Sequence, residues 1–195
     1  MSKNILFSKF RDTGRDIFLR GLISSHAGNM SVRMQNKMFI TKRGSMMGRL
    51  KPSDIVELEL KKDNAINYDI TLSENWTRAS SEAIVHKAIY EKTGSLAIVH
   101  AHPPYATLLS IQKEELIPCD SEGCFMFQKI PVVTPKKTIG SEESAEMVSE
   151  CLQNFKIVLV RGHGSFATGN TLEESQMLTT SLESSAFFLY HLNKV

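Results

Sequence analysis

The sequence predicts a layered α/β domain in which helices cover a sheet and residues 1–195 form a single unit. Three observations support this fold class. Segments with helical spacing of apolar residues alternate with short apolar runs of the length typical of buried strands. Hydrophobic residues make up 42% of the chain, which is enough for a real core. The chain contains no repeat, no low-complexity stretch and no linker rich in Pro, Gly or Ser.

The N-terminal part predicts one helix followed by strands. Residues 4–20 have apolar side chains at helical spacing, and Gly21 is expected to end that helix. Residues 30–34 and 38–41 predict a short β-hairpin. The alternating apolar and polar residues of 55–60 predict a half-buried strand.

The remaining part predicts helices interleaved with buried strands. Ser80 is expected to cap the N-terminus of a helix. The apolar runs at residues 96–99 and 156–160 are typical of buried strands. Two more helices are expected to begin at Ser141, which precedes two glutamates, and at Thr171, where a capping box opens the long last helix.

Composition excludes several classes of partner. The net charge is +2, and the basic residues are scattered among nearly as many acids, which argues against a nucleic-acid-binding surface. No apolar run is long enough to cross a bilayer, and residues 1–10 do not resemble a signal peptide. Cys119, Cys124 and Cys151 form no Cys-x-x-Cys pair, as is typical of reduced thiols. We therefore expect a cytoplasmic protein with no nucleic-acid or membrane partner.

Three histidines follow the predicted buried strands. His100 and His102 lie two residues apart at a strand end, so both imidazoles project from one face of the sheet. On its own, this pair could simply be two polar residues at a strand end. His163 lies between Gly162 and Gly164, which allow a sharp turn and leave space beside the ring. Three histidines with an open position are typical of a catalytic zinc site.

The segment Ser80, Ser81, Glu82 lies at a predicted helix start. Exposed N–H groups and two hydroxyls at such a position favour binding of an anion. Because the helix dipole also favours an acid in the first turn, Glu82 has a purely structural interpretation as well.

Two short glycine-containing segments form a second candidate anion site. Gly28 and Asn29 form one of them, and Lys42, Arg43 and Gly44 form the other. Small residues let the backbone approach a ligand, and the two cations suit a phosphate or a carboxylate. The same residues could form two ordinary turns.

Taken in order, these segments resemble the class II aldolase and adducin-head family, and among its members most closely the fuculose-1-phosphate aldolases. The matching strings are AGNMSVR at 27–33, FITKRG at 39–44, SSE at 80–82, VHAHP at 99–103 and RGHG at 161–164. They follow the family's order and approximate spacing over most of the chain. The combination is therefore specific, although each string alone is not.

The resemblance implies a three-layer α/β/α domain on a mixed, mostly antiparallel sheet, assembled as a homotetramer with sites at subunit interfaces. It implies one zinc ion per subunit, bound by His100, His102 and His163, and Glu82 as the acid–base group. The residues implied to hold the phosphate of a small phosphorylated sugar are Gly28, Asn29, Gly44, Ser80 and Ser81. The implied reaction cleaves a phosphorylated ketose to an aldehyde and an enediolate of the dihydroxyacetone-phosphate type, which Glu82 would protonate.

Two features depart from the family pattern. His26 and Arg43 stand where the family's aldolases usually carry small hydroxyl residues. Arg43 would either strengthen phosphate binding or indicate a substrate with an additional acid group. The tyrosines that protonate the leaving aldehyde have no clear counterpart, and Asp120, Glu122 and Tyr190 are the candidates for this second acid.

Different functions would fit the same sequence features. A pentulose-phosphate 4-epimerase or a methylthioribulose-phosphate dehydratase would use the same metal site. The epimerase branch tends to carry Asp after the serine pair, so Glu82 favours the aldolase. A non-catalytic assembly module, such as an adducin head, would not need to keep three histidines and the glutamate.

Overall fold

The computed structural model describes residues 2–60 and 74–192. The helices in this part are α1 (Lys3–Leu19), α2 (Glu74–Arg78), α3 (Ala83–Lys92), α4 (Pro104–Ser110), α5 (Ser121–Met126), α6 (Glu142–Cys151) and α7 (Leu172–Leu192). The strands are β1 (Asn29–Met34), β2 (Lys37–Thr41), β3 (Ile55–Glu59), β4 (Ala97–Ala101), β5 (Glu115–Leu116), β6 (Ile130–Val133), β7 (Ile157–Val160) and β8 (Gly164–Gly169). The predicted extent of 1–195 also includes residues 1, 61–73 and 193–195, which lie outside the described residues.

The described strands form one eight-stranded sheet in the order β3-β2-β1-β4-β8-β7-β6-β5. Strands β6 and β7 are parallel, and the other neighbouring pairs are antiparallel. The mixed, mostly antiparallel sheet is therefore confirmed. Tight turns join β1 to β2 and β7 to β8, whereas β4 pairs with β1 and β8 across long connections that contain other strands and helices.

Helices cover both faces of the sheet and complete the three-layer α/β/α architecture. Ile98 and Phe166 point into the core formed with α3 and α6. The next residues along the same strands, Val99 and Ala167, point into the cores formed with α1 and α7. This alternation follows from the pleat of a strand, which turns successive side chains to opposite faces. Within the described residues, no helix combines the length and apolarity needed to cross a membrane.

Most of the predicted helix ends are confirmed. Helix α1 ends at the predicted place, and Gly21 has a φ of +69°, a left-handed conformation that favours glycine. Ser141 Oγ accepts the N–H of Ser144 at 3.0 Å and caps α6. Thr171 Oγ1 accepts the N–H of Glu174 at 3.1 Å and caps α7.

The prediction that Ser80 caps α3 is wrong. The helix begins at Ala83, and Glu82 occupies the N-cap position with φ −84° and ψ 5°. The N–H of Ser80 donates to Thr41 O at 3.1 Å, while its Oγ accepts the N–H of Glu82 at 3.2 Å. Ser80 is therefore held against the end of β2 in a turn that precedes the helix.

Several short elements were not predicted, among them β8, the strand that pairs with both β4 and β7. Its sequence, GSFATG, contains one large apolar residue, Phe166, between small ones. The strand is buried along most of its length and forms because its neighbours pair with it on both sides. Single-sequence periodicity does not capture such tertiary pairing.

Four segments meet at one end of the central strands β1, β4 and β8 and position the candidate site. Asn29, at the start of β1, pairs with His100 near the end of β4. Ala101 pairs with Ser165, which follows the turn between β7 and β8. The turn after β2 is joined to the turn before α3 through Ser80. The loops that carry the predicted motifs are therefore neighbours in space.

Candidate metal centre and active-site cleft

The three predicted histidines form one cluster. His100 lies in β4, His102 directly follows β4, and His163 lies in the turn between β7 and β8. Nε2 of His100 and Nε2 of His102 are 3.0 Å apart. One nitrogen from each of the three rings lies within 4.8 Å of the others. The ring centroids are 4.8 to 4.9 Å apart in all three pairs.

Glycines on both sides of His163 allow its ring to lie close to the rings of His100 and His102. Gly162 has a φ of +64°, which allows the tight turn between β7 and β8. A Cβ on Gly164 would lie 2.3 Å from the carbonyl oxygen of Ala101 and 2.7 Å from Cδ2 of His102. Only a residue without a side chain fits at position 164 without moving the segment that carries His100 and His102.

The surroundings of His100 fix its ring. The ring is buried and stacks on Phe166 with a centroid distance of 4.1 Å. Its Nδ1 lies 3.0 Å from the carbonyl oxygen of Ser165 and must therefore donate its proton there. This hydrogen bond leaves Nε2 without a proton and directed at the cluster, the arrangement usual for a metal-binding histidine.

All three imidazoles are held in the neutral form. Burial, followed by the charges of the neighbouring imidazoles, holds the pKa of His100 well below its usual range. Burial lowers the pKa of His102 to about 4, and burial also lowers the pKa of His163. Neutral imidazole is the form that binds metal ions.

The cluster fits a divalent metal ion. Two nitrogens at roughly 2.0–2.1 Å from a tetrahedral metal are about 3.3 Å apart, close to the observed separation of the two Nε2 atoms. Three neutral nitrogen donors on one side leave the opposite side open. Such a set is typical of a catalytic centre, whereas a structural centre uses all of its positions.

Glu82 presents a buried carboxyl group in the same region. Its Oε1 accepts the N–H of Gly140 at 3.1 Å, whereas Oε2 is buried and has no hydrogen-bond partner within residues 2–60 and 74–192. Burial raises the pKa of Glu82 to about 7, although the hydrogen bond from Gly140 opposes the shift. Gly140 packs against the backbone of Ser81, where a Cβ would meet the carbonyl oxygen at 2.5 Å.

A cleft of about 160 Å³ contains all ten predicted site residues. We call it the histidine cleft. Its described lining comprises His26, Ala27, Gly28, Asn29, Lys42, Arg43, Gly44, Ser45, Ser80, Ser81, Glu82, His100, His102, Ile139 and His163. A larger groove of about 470 Å³ lies at the other end of β4, β7 and β8 and is lined by none of the predicted site residues.

The two predicted loop segments line the mouth of the histidine cleft. Gly28 and Gly44 have φ of +74° and +70°, and a Cβ on Gly28 would lie 2.9 Å from the carbonyl oxygen of His100. Asn29 is buried, and its Oδ1 has no hydrogen-bond partner in the described part of the chain. Ser80 is buried, whereas Ser81 is exposed. The lining therefore combines close backbone approach with polar groups that remain available.

Positive charge dominates the histidine cleft. Lys42 and Arg43 both line it, and Arg43 is exposed. No side-chain hydrogen bond or ion pair holds either cation within the described residues. Glu82 is the only carboxylic acid in the described lining, and its raised pKa keeps it partly protonated near neutral pH. The cleft therefore favours an anionic ligand.

The three candidates for a second acid lie outside the histidine cleft. Asp120 caps α5, with Oδ2 accepting the N–H of Gly123 at 2.8 Å. Glu122 Oε1 accepts the hydroxyl proton of Ser181 at 2.6 Å. Tyr190 packs among the aromatic residues of α7, with its ring 5.3 Å from that of Tyr105.

Sequence reasoning missed several residues that shape the cleft. Gly140 holds Glu82, Ile139 lines the opening, and Ser165 and Phe166 orient His100. Gly140 could have been noticed as a glycine before a helix. The roles of Ser165 and Phe166 depend on the pairing of β4 with β8, for which the sequence carries no local signal.

Fold and site together define an α/β/α domain whose histidine cluster fits a metal ion and lies in a cation-rich cleft. The family described as Class II Aldolase and Adducin N-terminal domain matches residues 8–190. The chain belongs to this family.

The chain is similar to known proteins whose names describe different reactions. The structure of L-fuculose-1-phosphate aldolase from Thermus thermophilus has a TM-score of 0.86 and 40% identity, covering 95% of this chain and 93% of that one. A 3-oxo-tetronate 4-phosphate decarboxylase from Haemophilus influenzae is 32% identical over 92% of this chain and 84% of its own length. A probable bifunctional methylthioribose-1-phosphate isomerase/methylthioribulose-1-phosphate dehydratase from Nocardia farcinica is 36% identical over 50% of this chain and 17% of its own length.

Proposed function

We propose that this protein is a zinc-dependent aldolase that cleaves a small phosphorylated ketose, similar to fuculose 1-phosphate, to an aldehyde and an enediolate of the dihydroxyacetone-phosphate type. One observation carries the proposal. A single cleft joins three neutral histidines, a buried carboxyl group with a pKa of about 7 and a cation-rich mouth. The solved aldolase with 40% identity supports this choice of reaction.

His100, His102 and His163 would hold the zinc ion, one per subunit. Imidazole nitrogens suit zinc, and three of them leave a position for substrate. When bound there, zinc would act as a Lewis acid that stabilises negative charge on the substrate oxygens. The hydrogen bond from His100 to Ser165 and the stack on Phe166 keep one ligand oriented for this task.

Glu82 would be the acid–base group. With a pKa of about 7, the carboxyl group is populated in both protonation states near neutral pH, as efficient proton transfer requires. After cleavage of the carbon–carbon bond, Glu82 would give its proton to the enediolate carbon. In the condensation direction, the carboxylate would remove that proton. Gly140 holds one oxygen in place, and the other is available for the transfer.

The mouth of the histidine cleft would hold the phosphate. Backbone N–H groups near Gly28 and Gly44 approach a ligand closely because neither residue has a side chain. Asn29, Ser80 and Ser81 supply side-chain donors. Arg43 would add a guanidinium, which can form two parallel hydrogen bonds with a phosphate.

The test is a substrate panel. Zinc-loaded protein is incubated with ketose 1-phosphates and ketose 5-phosphates, and aldehyde and dihydroxyacetone phosphate are measured. We expect cleavage of at least one ketose 1-phosphate, and loss of this activity after removal of zinc with a chelator. Absence of cleavage across the panel by protein with full zinc content would refute the aldolase proposal.

Decarboxylation of a 3-oxo acid phosphate is the second candidate. The Haemophilus influenzae relative and the pair Lys42 and Arg43 in the cleft favour it, since a carboxylate and a phosphate on one substrate would need two cationic contacts. The bond between the α-carbon and the carboxylate carbon would break, leaving carbon dioxide and an enediolate. Glu82 would then protonate that carbon. Release of carbon dioxide without an aldehyde distinguishes this reaction from aldol cleavage.

Epimerisation and dehydration on the same metal site have their own signatures. An epimerase would give a stereoisomer with no cleavage, and a dehydratase would release water. A non-catalytic assembly module would bind no zinc, so metal analysis of purified protein separates it from the enzymes. On the basis of the family resemblance, we also propose that single-domain subunits form a homotetramer in the cytoplasm. Light scattering can test the tetramer.

A further inference from the structure

Helix α4 links two of the three histidines. It begins at Pro104, two residues after His102, and its last turn contacts the segment that carries His163. The helix has seven residues and spans about 10 Å. A helix this short has little stability of its own, so its ends need support from elsewhere.

Glu183 supports the N-terminal end. Pro103 occupies the N-cap position and provides no side-chain cap. The N–H groups of Tyr105 and Ala106 donate instead to Oε1 and Oε2 of Glu183 in α7, at 2.9 and 3.0 Å. Both carboxylate oxygens are thus used directly after the segment that carries His102.

Arg161 supports the C-terminal end. Its NH1 group donates to the carbonyl oxygens of Ser110 and Ile111 at 2.8 and 2.9 Å, and NH2 donates to Glu114 at 2.6 Å. The N–H of Gly162 donates to Ser110 Oγ at 2.9 Å. The turn that carries His163 is therefore tied to the end of α4 by three hydrogen bonds from two adjacent residues.

The charges of the two supports suit the helix. A carboxylate at the N-terminus and a guanidinium at the C-terminus both interact favourably with the helix dipole. Arg161 also donates from Nε to Thr134 Oγ1 at 2.9 Å, so all three of its nitrogens have partners. Lysine cannot reproduce this arrangement, because its ammonium group lacks the planar fork of a guanidinium.

We propose that Arg161 and Glu183 are positioning residues of the histidine cluster. They hold α4 between the two loops, so that His102 and His163 keep their separation before a metal ion binds. Neither residue belongs to the described lining of the histidine cleft, and both act through the backbone of α4. The inference rests on the proposed metal centre and adds two residues to it.

Cobalt titration tests the inference. Metal-free wild type, Arg161→Lys and Glu183→Gln are titrated with Co²⁺ against a competing chelator, and the visible absorption band of bound cobalt is recorded. We expect each variant to bind cobalt roughly 10- to 100-fold more weakly, as is usual when the support of metal ligands is lost. The band should also change in intensity, because the ligands no longer hold one geometry.

Two control variants separate positioning from general stability. Lys129→Met removes an exposed ion pair with Glu115 that lies outside α4. Val148→Ala removes buried methyl groups in α6, in the core with α3 on the other face of the sheet. Both controls should bind cobalt within about twofold of wild type, although Val148→Ala lowers the melting temperature.

Each result supports or overturns the inference. Wild-type affinity in both positioning variants overturns it, as does an equal loss of affinity in Val148→Ala. If Arg161→Lys does not fold, Glu183→Gln decides alone, since it keeps the size of the side chain. If the wild-type protein binds no cobalt, the proposed metal centre is wrong and the inference is overturned with it. If wild type binds cobalt and both positioning variants bind it equally well, only the inference is overturned.

Discussion

Replacing Glu82 with Gln should separate catalysis from stability. The substitution keeps the size of the side chain and one acceptor oxygen for the N–H of Gly140, but it removes the titratable proton. A positioned general acid–base group contributes about 10²-fold or more to turnover, so we expect kcat to fall by at least that factor. The zinc content should not change.

The same substitution should stabilise the metal-free protein at alkaline pH. The pKa of Glu82 is about 7 in the folded protein, compared with 4.5 as the reference value. Since the folded state holds the proton more tightly, the contribution of Glu82 to stability is fully present below about pH 4.5 and is lost as the pH rises through 7. The full difference amounts to about 3 kcal/mol at pH 8. Gln imitates the protonated acid and avoids this loss, so the melting temperature should rise by roughly 6–12 °C.

The assay is thermal and urea unfolding of chelator-treated wild type and Glu82→Gln at pH 4.5, 6 and 8, beside measurements of kcat. The difference in unfolding free energy should be small at pH 4.5 and grow with pH. Glu146→Gln, on the exposed side of α6, should show neither effect. A pH-independent difference would refute the raised pKa, and activity within a few-fold of wild type would refute the catalytic role.

Three further substitutions test the rest of the cleft. His163→Ala should lower zinc occupancy sharply in metal analysis, and full zinc with full activity would show that the site is wrongly assigned. Arg43→Thr should raise KM for the phosphorylated substrate by roughly 10- to 150-fold, because one charge-assisted hydrogen bond is lost. The zinc content should not change, and an equal rise in KM for the same sugar without phosphate would contradict this prediction. Gly164→Ala should lower zinc affinity, although none of the three histidines is replaced, because the new Cβ would lie 2.3 Å from the carbonyl oxygen of Ala101. Unchanged affinity in a chelator competition would show that the two strands can move apart without cost.

The clustering of the three histidines was predictable because each histidine carries a local signal. His100 and His102 follow an apolar run, and two-residue spacing on a strand places both rings on one face. His163 follows a second apolar run and has a glycine on each side. Neither signal requires knowledge of tertiary structure beyond the rule that buried strands lie side by side. The structure brings the three rings together as expected.

The environment of Glu82 was not predictable in the same way. As a helix-start acid, Glu82 would be exposed and ionised, with the helix dipole favouring its charge. The structure instead buries it beneath the segment around Gly140, which is 58 residues away in sequence. Burial then outweighs the hydrogen bond and raises the pKa. Contacts of this range leave no trace in local periodicity, and the same reason explains why β8 was missed.

The choice between the two proposed reactions depends on one further group. In aldol cleavage, a hydroxyl must lose its proton as the aldehyde forms, whereas a leaving carbon dioxide needs no proton transfer. In the proposed mechanism Glu82 would serve the enediolate carbon in both reactions, and it is the only carboxylic acid in the described lining of the histidine cleft. Asp120, Glu122 and Tyr190 lie elsewhere.

We therefore predict that aldol cleavage uses a group that reaches the open side of the cleft from a neighbouring subunit, and that decarboxylation does not. If the protein is an aldolase, its activity per subunit should fall when the assembly is diluted until light scattering shows monomers, while zinc content stays constant. Decarboxylase activity should persist under the same dilution. Aldol cleavage by monomers would show instead that a group within the cleft, such as the exposed His26, accepts the hydroxyl proton.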